Sequence, residues 1–183
     1  ILGYAPSDEI GYWGVFNLGD INGDGRDDLG FGDDDDISYI FWGTSSYSAL
    51  YDLADEFPNS LNFTAINDFG GFDITNVTAV GDINGDGYDD IAAASGNKIL
   101  VLYGQANWAS TYLDQSSLNI LEITNEENYW PNIYALGDID SDGKDEFGFS
   151  STSNRAYSSN DLLVIWNGHD SNVDANGFSL SVE

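Results

Sequence analysis

One eleven-residue phrase is written three times along this chain, and each copy runs straight into a short apolar stretch. The copies are Gly19-Asp-Ile-Asn-Gly-Asp-Gly-Arg-Asp-Asp-Leu29, Gly81-Asp-Ile-Asn-Gly-Asp-Gly-Tyr-Asp-Asp-Ile91 and Gly137-Asp-Ile-Asp-Ser-Asp-Gly-Lys-Asp-Glu-Phe147. With the leading Asp as position 1, the phrase starts at Asp20, Asp82 and Asp138, a period of roughly 60 residues. A chain that repeats at such a period folds as a row of similar units, because one unit alone cannot bury its apolar face.

The phrase also carries chemistry. Asp20, Asn22 and Asp24 stand at positions 1, 3 and 5, an alternation that turns three side-chain oxygens toward one centre. Gly25 at position 6 permits a sharp bend, since a residue without Cβ enters positive φ freely. Position 7 can offer only its backbone carbonyl, so its side chain varies: Arg26, Tyr88 and Lys144. A cationic side chain there is compatible with an ion only if it points outward. Asp28 at position 9 closes the shell. Hard oxygen donors in a flexible ring suit Ca²⁺. The chain has no cysteine and one histidine, which argues against a softer metal.

The phrase opens like an EF-hand loop but does not end like one. The bidentate Glu needed at position 12 is replaced by Phe31, Ala93 or Phe149, and the flanks alternate as strands do. A plain turn would account for a single copy. It does not account for three copies in register, each with Ile at position 2 (Ile21, Ile83, Ile139). The third copy has Asp140, Ser141 and Glu146 where the others have Asn, Gly and Asp, so its affinity is expected to differ.

Outward from each loop the same pattern of runs recurs. An alternating run leads in: 13–18, 76–80 and 132–136. Two apolar runs follow, 29–32 and 37–42, 91–95 and 99–103, 147–150 and 162–166, the second ending in an aromatic close to a glycine (Gly43, Gly104, Gly168). A fourth run closes the unit at 61–66 and 118–123. Four short strands per repeat, joined by turns, predict an all-β chain of three propeller blades, with antiparallel strands and the loop between the first and second strand of each. The expected blades are 11–66, 72–124 and 130–183. Residues 1–10 hold a strand for a preceding blade, and Phe178–Val182 ends the third. A short helix is conceivable at 46–57.

These residues resemble the FG-GAP repeat, the calcium-binding propeller unit found in integrin α-subunits and in many bacterial surface and secreted proteins. The likeness covers nearly the whole chain. The Phe-Gly…Gly-Ala-Pro wording of the family survives only in pieces such as Phe69-Gly70 and Ala5-Pro6. The resemblance implies three Ca²⁺ sites. Their ligands would be Asp20, Asn22, Asp24, the Arg26 carbonyl and Asp28; Asp82, Asn84, Asp86, the Tyr88 carbonyl and Asp90; and Asp138, Asp140, Asp142, the Lys144 carbonyl and Glu146. It further implies a non-catalytic adhesion or binding scaffold at the cell surface or outside the cell. A structural repeat unit of a filament is the alternative reading, and a polysaccharide-acting enzyme stands behind both.

Composition bounds the partners. Against 32 acids stand four basic residues, for a formal charge of −28. Phosphate backbones need a basic surface, so nucleic acid is excluded as a partner. No apolar run is long enough for a spanning helix. The distinctive acids are already assigned to the loops, and no nucleophile–base wording appears, so no enzymatic activity is expected. A protein or glycan ligand is possible. Of five tryptophans, four recur between repeats and read as packing residues. Trp108 has no counterpart and is the candidate for ligand contact. The run Asp33 to Asp36 could bind a further metal. Three blades fall short of the usual closed ring of four to eight, so the 183 residues read as one repeat domain, a segment of a larger propeller. Blade edges left open could also support self-association.

Overall fold

The computed structural model describes residues 14–32, 37–46, 63–67, 77–95, 98–108, 113–114, 120–124, 132–151 and 162–166. Among these residues the chain is all-β, with no helix. The strand expectations at 1–4 and 178–182, the helix candidate beyond Ser46 and the run Asp33 to Asp36 lie outside them.

Each apolar run that alternates with period two becomes a strand, because β-branched and aromatic side chains pack well on a pleated surface. The first repeat supplies β1 (Val15–Gly19), β2 (Asp28–Gly32), β3 (Ile37–Phe41) and β4 (Phe63–Asn67). The second supplies β5 (Val77–Gly81), β6 (Asp90–Ser95), β7 (Lys98–Leu102), β8 (Leu113–Asp114) and β9 (Ile120–Thr124). The third supplies β10 (Asn132–Gly137), β11 (Glu146–Ser151) and β12 (Leu162–Trp166).

The strands form three sheets, ordered β1-β2-β3-β4-β8, β5-β6-β7-β9 and β10-β11-β12. Neighbours in sequence pair antiparallel in all three, as expected. One pairing departs from the four-stranded unit. β8 leaves its own repeat and adds to β4 in parallel, through Ile66↔Leu113 and Asn67↔Asp114. A two-residue strand carries no periodicity, so nothing in the sequence marks it.

Registers also correct one alignment of the repeats. Leu29 pairs with Phe41, Ile91 with Leu102 and Phe147 with Trp166. Trp166 therefore occupies the place of Phe41 and Leu102, one residue before that of Trp42 and Tyr103.

The leading strand of each sheet carries the same irregularity, a register shift at Asn17/Gly19, Ala79/Gly81 and Ala135/Gly137. A bulge of this kind bends the strand and re-aims a side chain. The residue it bypasses in the first two sheets, Leu18 or Val80, is buried.

Two apolar joints hold the sheets together. The first gathers Leu18, Ile21, Ile40 and Ile66 from one sheet with Ile91, Ala93, Leu100 and Leu102 from the next. The second gathers Val80, Ile83, Ala92, Ile99 and Val101 with Ile133 and Phe147 of the third sheet. The middle sheet is thus buried on both faces. A separate cluster of Phe31, Tyr39, Phe41, Phe63 and Ala65 lies on the other face of the first sheet, where Phe31 stacks on Tyr39 with ring centroids 5.3 Å apart. The leading strands β1, β5 and β10 lie side by side in that order, which brings the three loops to one rim.

Candidate metal centres

Each loop folds around the carboxylate at position 1. Asp20 accepts the amide of Asp24 at 2.9 Å and that of Gly25 at 2.8 Å, while Asn22 Oδ1 takes a second bond from Asp24 N–H. Asp82 accepts from Gly85, Asp86 and Gly87, and Asn84 Oδ1 from Asp86. Asp138 accepts from Asp142 and Gly143, and Asp140 from Asp142. Asp86 and Asp142 at position 5 accept from the amides of Tyr88 and Lys144. Short Asp and Asn side chains bond readily to backbone two to five residues ahead. That habit winds the loop; in the third copy it brings positions 1 and 3 together with Glu146, whereas Asp142 at position 5 stays outside that group.

Position 9 behaves differently. Asp28, Asp90 and Glu146 are fully buried under the loop. Asp28 accepts the amide of Gly43 at 2.7 Å, and Asp90 accepts those of Gly104 at 2.8 Å and Ile83 at 3.0 Å. Glu146 accepts the amide of Ile139 at 2.8 Å. The closing acid is therefore a clasp between its own loop and, in the first two repeats, the glycine after the aromatic strand end. A Cβ on Gly104 would collide with the loop backbone at Asp89, which explains the glycine.

These clasps leave lone pairs over. Asp28 Oδ2 and Glu146 Oε1 are buried without a hydrogen-bond partner. Burial pushes the Asp28 carboxyl up to about 6, with the charges of Asp24 and Asp20 adding to it. Burial raises Asp90 further, to about 7, and Asp86 and Asp82 contribute. Orphaned carboxylate oxygens beside further carboxylates fit a divalent cation, which would satisfy the lone pairs and hold the acids ionised. In the third loop, oxygens of Asp138, Asp140 and Glu146 lie within 4.8 Å of one another. Position 3 is an acid only there; the first two loops put the amide oxygen of Asn22 or Asn84 in its place.

Position 7 is not uniformly turned outward. The Arg26 guanidinium, though exposed, bends back to 3.5 Å from Asp24 Oδ1. Tyr88 and Lys144 lean across to the preceding loop, against Gly23 and Gly85.

The sequence reading passed over position 8, an acid in all three copies: Asp27, Asp89 and Asp145. Asp89 accepts the amide of Asp20 at 2.8 Å, and Asp145 accepts that of Asp82 at 3.0 Å. The same residues return backbone bonds, Asp89 N–H to the Asp20 carbonyl and Asp145 N–H to the Asp82 carbonyl. Asp89 and Asp145 thus latch their loops to the one before, whereas Asp27 accepts from the Asn17 side chain at 3.2 Å. The recurrence of an acid at position 8 in all three copies, outside the ligand set, was the available signal.

Trp108 lies in the first joint. Its indole N–H donates to the Ile21 carbonyl at 3.2 Å, and its ring sits 5.6 Å from that of Trp42. Half-buried there, it serves packing between repeats, and this placement lends no support to the ligand-contact role expected of it. Trp13 and Trp130 lie outside the described residues.

Residues 75–105 match the family model of the FG-GAP repeat. The matched span runs from β5 through the middle loop and β6 to the end of β7, so the chain carries an FG-GAP repeat there. The resemblance read from the sequence is borne out over that repeat. No curated protein matches the chain. Among the described residues no helix is long and apolar enough to cross a membrane.

Proposed function

We propose that the chain is a non-catalytic binding scaffold of three FG-GAP blades, set in shape by three Ca²⁺ ions and working at the cell surface or outside the cell. One observation supports this most: buried, unpartnered oxygens of Asp28 and Glu146 lie under their loops, and in the third loop the Glu146 carboxylate comes within 4.8 Å of those of Asp138 and Asp140. The ligands are Asp20, Asn22, Asp24, the Arg26 carbonyl and Asp28 in the first loop, and the matching residues of the other two. Asp90 has both oxygens bonded to amides, yet each carboxylate oxygen keeps a second lone pair for an ion.

Calcium supplies charge compensation at the rim where the three loops meet. The ions neutralise six of 28 net negative charges, and the loop acids then cease to repel one another. What remains is a rigid, acidic rim suited to cationic patches of a protein partner or to a glycan held through the bound ions. The acids of the loops are engaged by amides, which supports a scaffold over a catalyst.

Calorimetric titration of metal-stripped protein with Ca²⁺ tests this reading. Three ions per chain are expected, with the third site differing in affinity. Absence of any calcium-linked heat or change in melting temperature would overturn it.

A further inference from the structure

Asp89 stands between two members of its own loop's proposed shell, the Tyr88 carbonyl and Asp90, yet it bonds to the loop before. Its carboxylate accepts the Asp20 amide at 2.8 Å, and its N–H donates to the Asp20 carbonyl at 3.2 Å. Asp145, between Lys144 and Glu146, holds Asp82 in the same way, at 3.0 Å and 2.9 Å. The residue gripped from both sides is each time position 1, the acid around which the earlier loop is wound. Close approach is built in, since a Cβ on Gly19 or Gly81 would strike the carboxylate of Asp89 or Asp145.

Neighbouring residues add to the grip. The Tyr88 ring lies against Gly23, and the Lys144 stem against Gly85. Asp90 accepts the Gly104 amide, and the next amide, that of Gln105, donates to the Ile21 carbonyl at 2.9 Å. Residues 88–90 thus serve the middle loop and the first together, and residues 144–146 serve the third and the middle.

We infer, resting on the calcium sites proposed for the scaffold, that Asp89 and Asp145 are positioning residues that couple each ion site to the one before it. An ion in the middle loop fixes the Tyr88 carbonyl and Asp90. That holds Asp89 on the Asp20 peptide and sets the Asp20 carboxylate in place for its own ion. The cost of ordering the shared segment falls on the first ion alone, so the second binds more tightly. By linkage the effect is reciprocal. Charge alone acts in the opposite direction, because a filled neighbour carries more positive charge than an empty one and repels the second ion. The sign of the coupling therefore separates the latch from Coulomb repulsion.

NMR titration with Ca²⁺ reads each loop separately, because the Gly25, Gly87 and Gly143 amides donate to the position-1 carboxylates of Asp20, Asp82 and Asp138. Asp86→Ala, at an exposed position 5, empties the middle loop and should lower the calcium affinity of the first loop about fivefold or more. Asp24→Ala empties the first loop and should weaken the middle loop likewise. In that variant calcium should also slow hydrogen exchange at the Asp20 amide, although its own loop is empty. Asp89→Ala should abolish these effects. Asp27→Ala, which removes a like charge from an acid bonded to the Asn17 side chain, should keep them. The two exposed-site variants carry the test even where Asp89→Ala fails to fold. If calcium moves the three glycine signals but emptying the middle loop leaves the first loop unchanged or tighter, the coupling is overturned and the calcium reading stands. Coupling that persists undiminished in Asp89→Ala overturns it as well. If no glycine signal moves, both the coupling and the calcium reading fail.

Discussion

The backbone amide of Asp82 donates to the carboxylate of Asp145, 63 residues later, at 3.0 Å. An acid next to the proposed ligands of one loop thereby fixes the loop before it. Hydrogen bonds to charged groups contribute about 1.5–3 kcal/mol, so the latch is a substantial share of a domain's net stability. Asp145→Ala and Asp89→Ala are each expected to destabilise by about 1.5–3 kcal/mol in urea unfolding, whereas Asp27→Ala, an exposed acid that among the described residues meets the Asn17 side chain, should stay within about 0.5 kcal/mol. Equal losses at all three positions would show that the acids act within their own loops.

Two glycines separate close approach from backbone strain. Gly81 and Gly137 both have positive φ, 80° and 69°, and Ala at either should cost about 1–2 kcal/mol for its conformation. Only at Gly81 does the new Cβ also meet Asp145, adding about 1–3 kcal/mol of overpacking. Gly81→Ala should therefore lower the melting temperature visibly more than Gly137→Ala.

Ser141 holds φ at 64°, where Gly23 and Gly85 stand in the other loops. Removing its Cβ relieves about 1–2 kcal/mol of strain, offset in part by about 0.4–1 kcal/mol from the freer unfolded chain. Ser141→Gly is thus expected to stabilise the isolated chain by several tenths of a kcal/mol, read as a higher urea midpoint. A lower midpoint would mean that the serine hydroxyl contributes to its loop.

Strands and loops were legible because their signals are local. Period-two runs such as Val77–Val80 and Ile99–Leu102 mark strands, and the repeated Asp-x-Asn-x-Asp-Gly order marks a wound loop. What escaped depends on distant partners. The duty of Asp89 and Asp145 appears only when consecutive loops come side by side, and the parallel addition of Leu113–Asp114 crosses between repeats. Position 9 was half legible: its residue type fits a ligand, but its burial and its bonds to Gly43, Gly104 and Ile139 follow from the sheet beneath. The packing of Trp108 was not legible either, because a residue unique in sequence still sits against the recurrent Trp42.

Calcium removal should weaken the whole molecule. With free calcium at ~10 to 100 times Kd, each site adds about 1.4–2.7 kcal/mol by mass action. Chelation should therefore lower the melting temperature by roughly 8–30 °C if all three loops are filled, at about 2–4 °C per kcal/mol for a chain of this size. Asp28→Ala removes both a proposed ligand and the clasp on Gly43, so it should destabilise even the chelated protein. Asp24→Ala, on an exposed side chain, should lower calcium affinity with little effect once metal is gone. A chelated Asp24→Ala protein as unstable as Asp28→Ala would place the clasp elsewhere.

Acidity should act on the metal-free and metal-bound proteins in opposite directions. Burial raises Asp90 from 3.8 to about 7 and Asp28 from 3.8 to about 6. Between their unfolded and folded values the folded chain binds more protons than the unfolded one, so stability falls as pH rises through that window. Metal-free protein should consequently melt at a higher temperature at pH 5 than at pH 8. With calcium the same carboxylates must be ionised to bind, so protons compete with the metal and its stabilising effect shrinks as pH falls. The gap in melting temperature between calcium and chelator should narrow steadily from pH 8 to pH 5. A metal-free protein that loses stability on acidification over this range would mean that Asp90 and Asp28 are ionised and paired when folded.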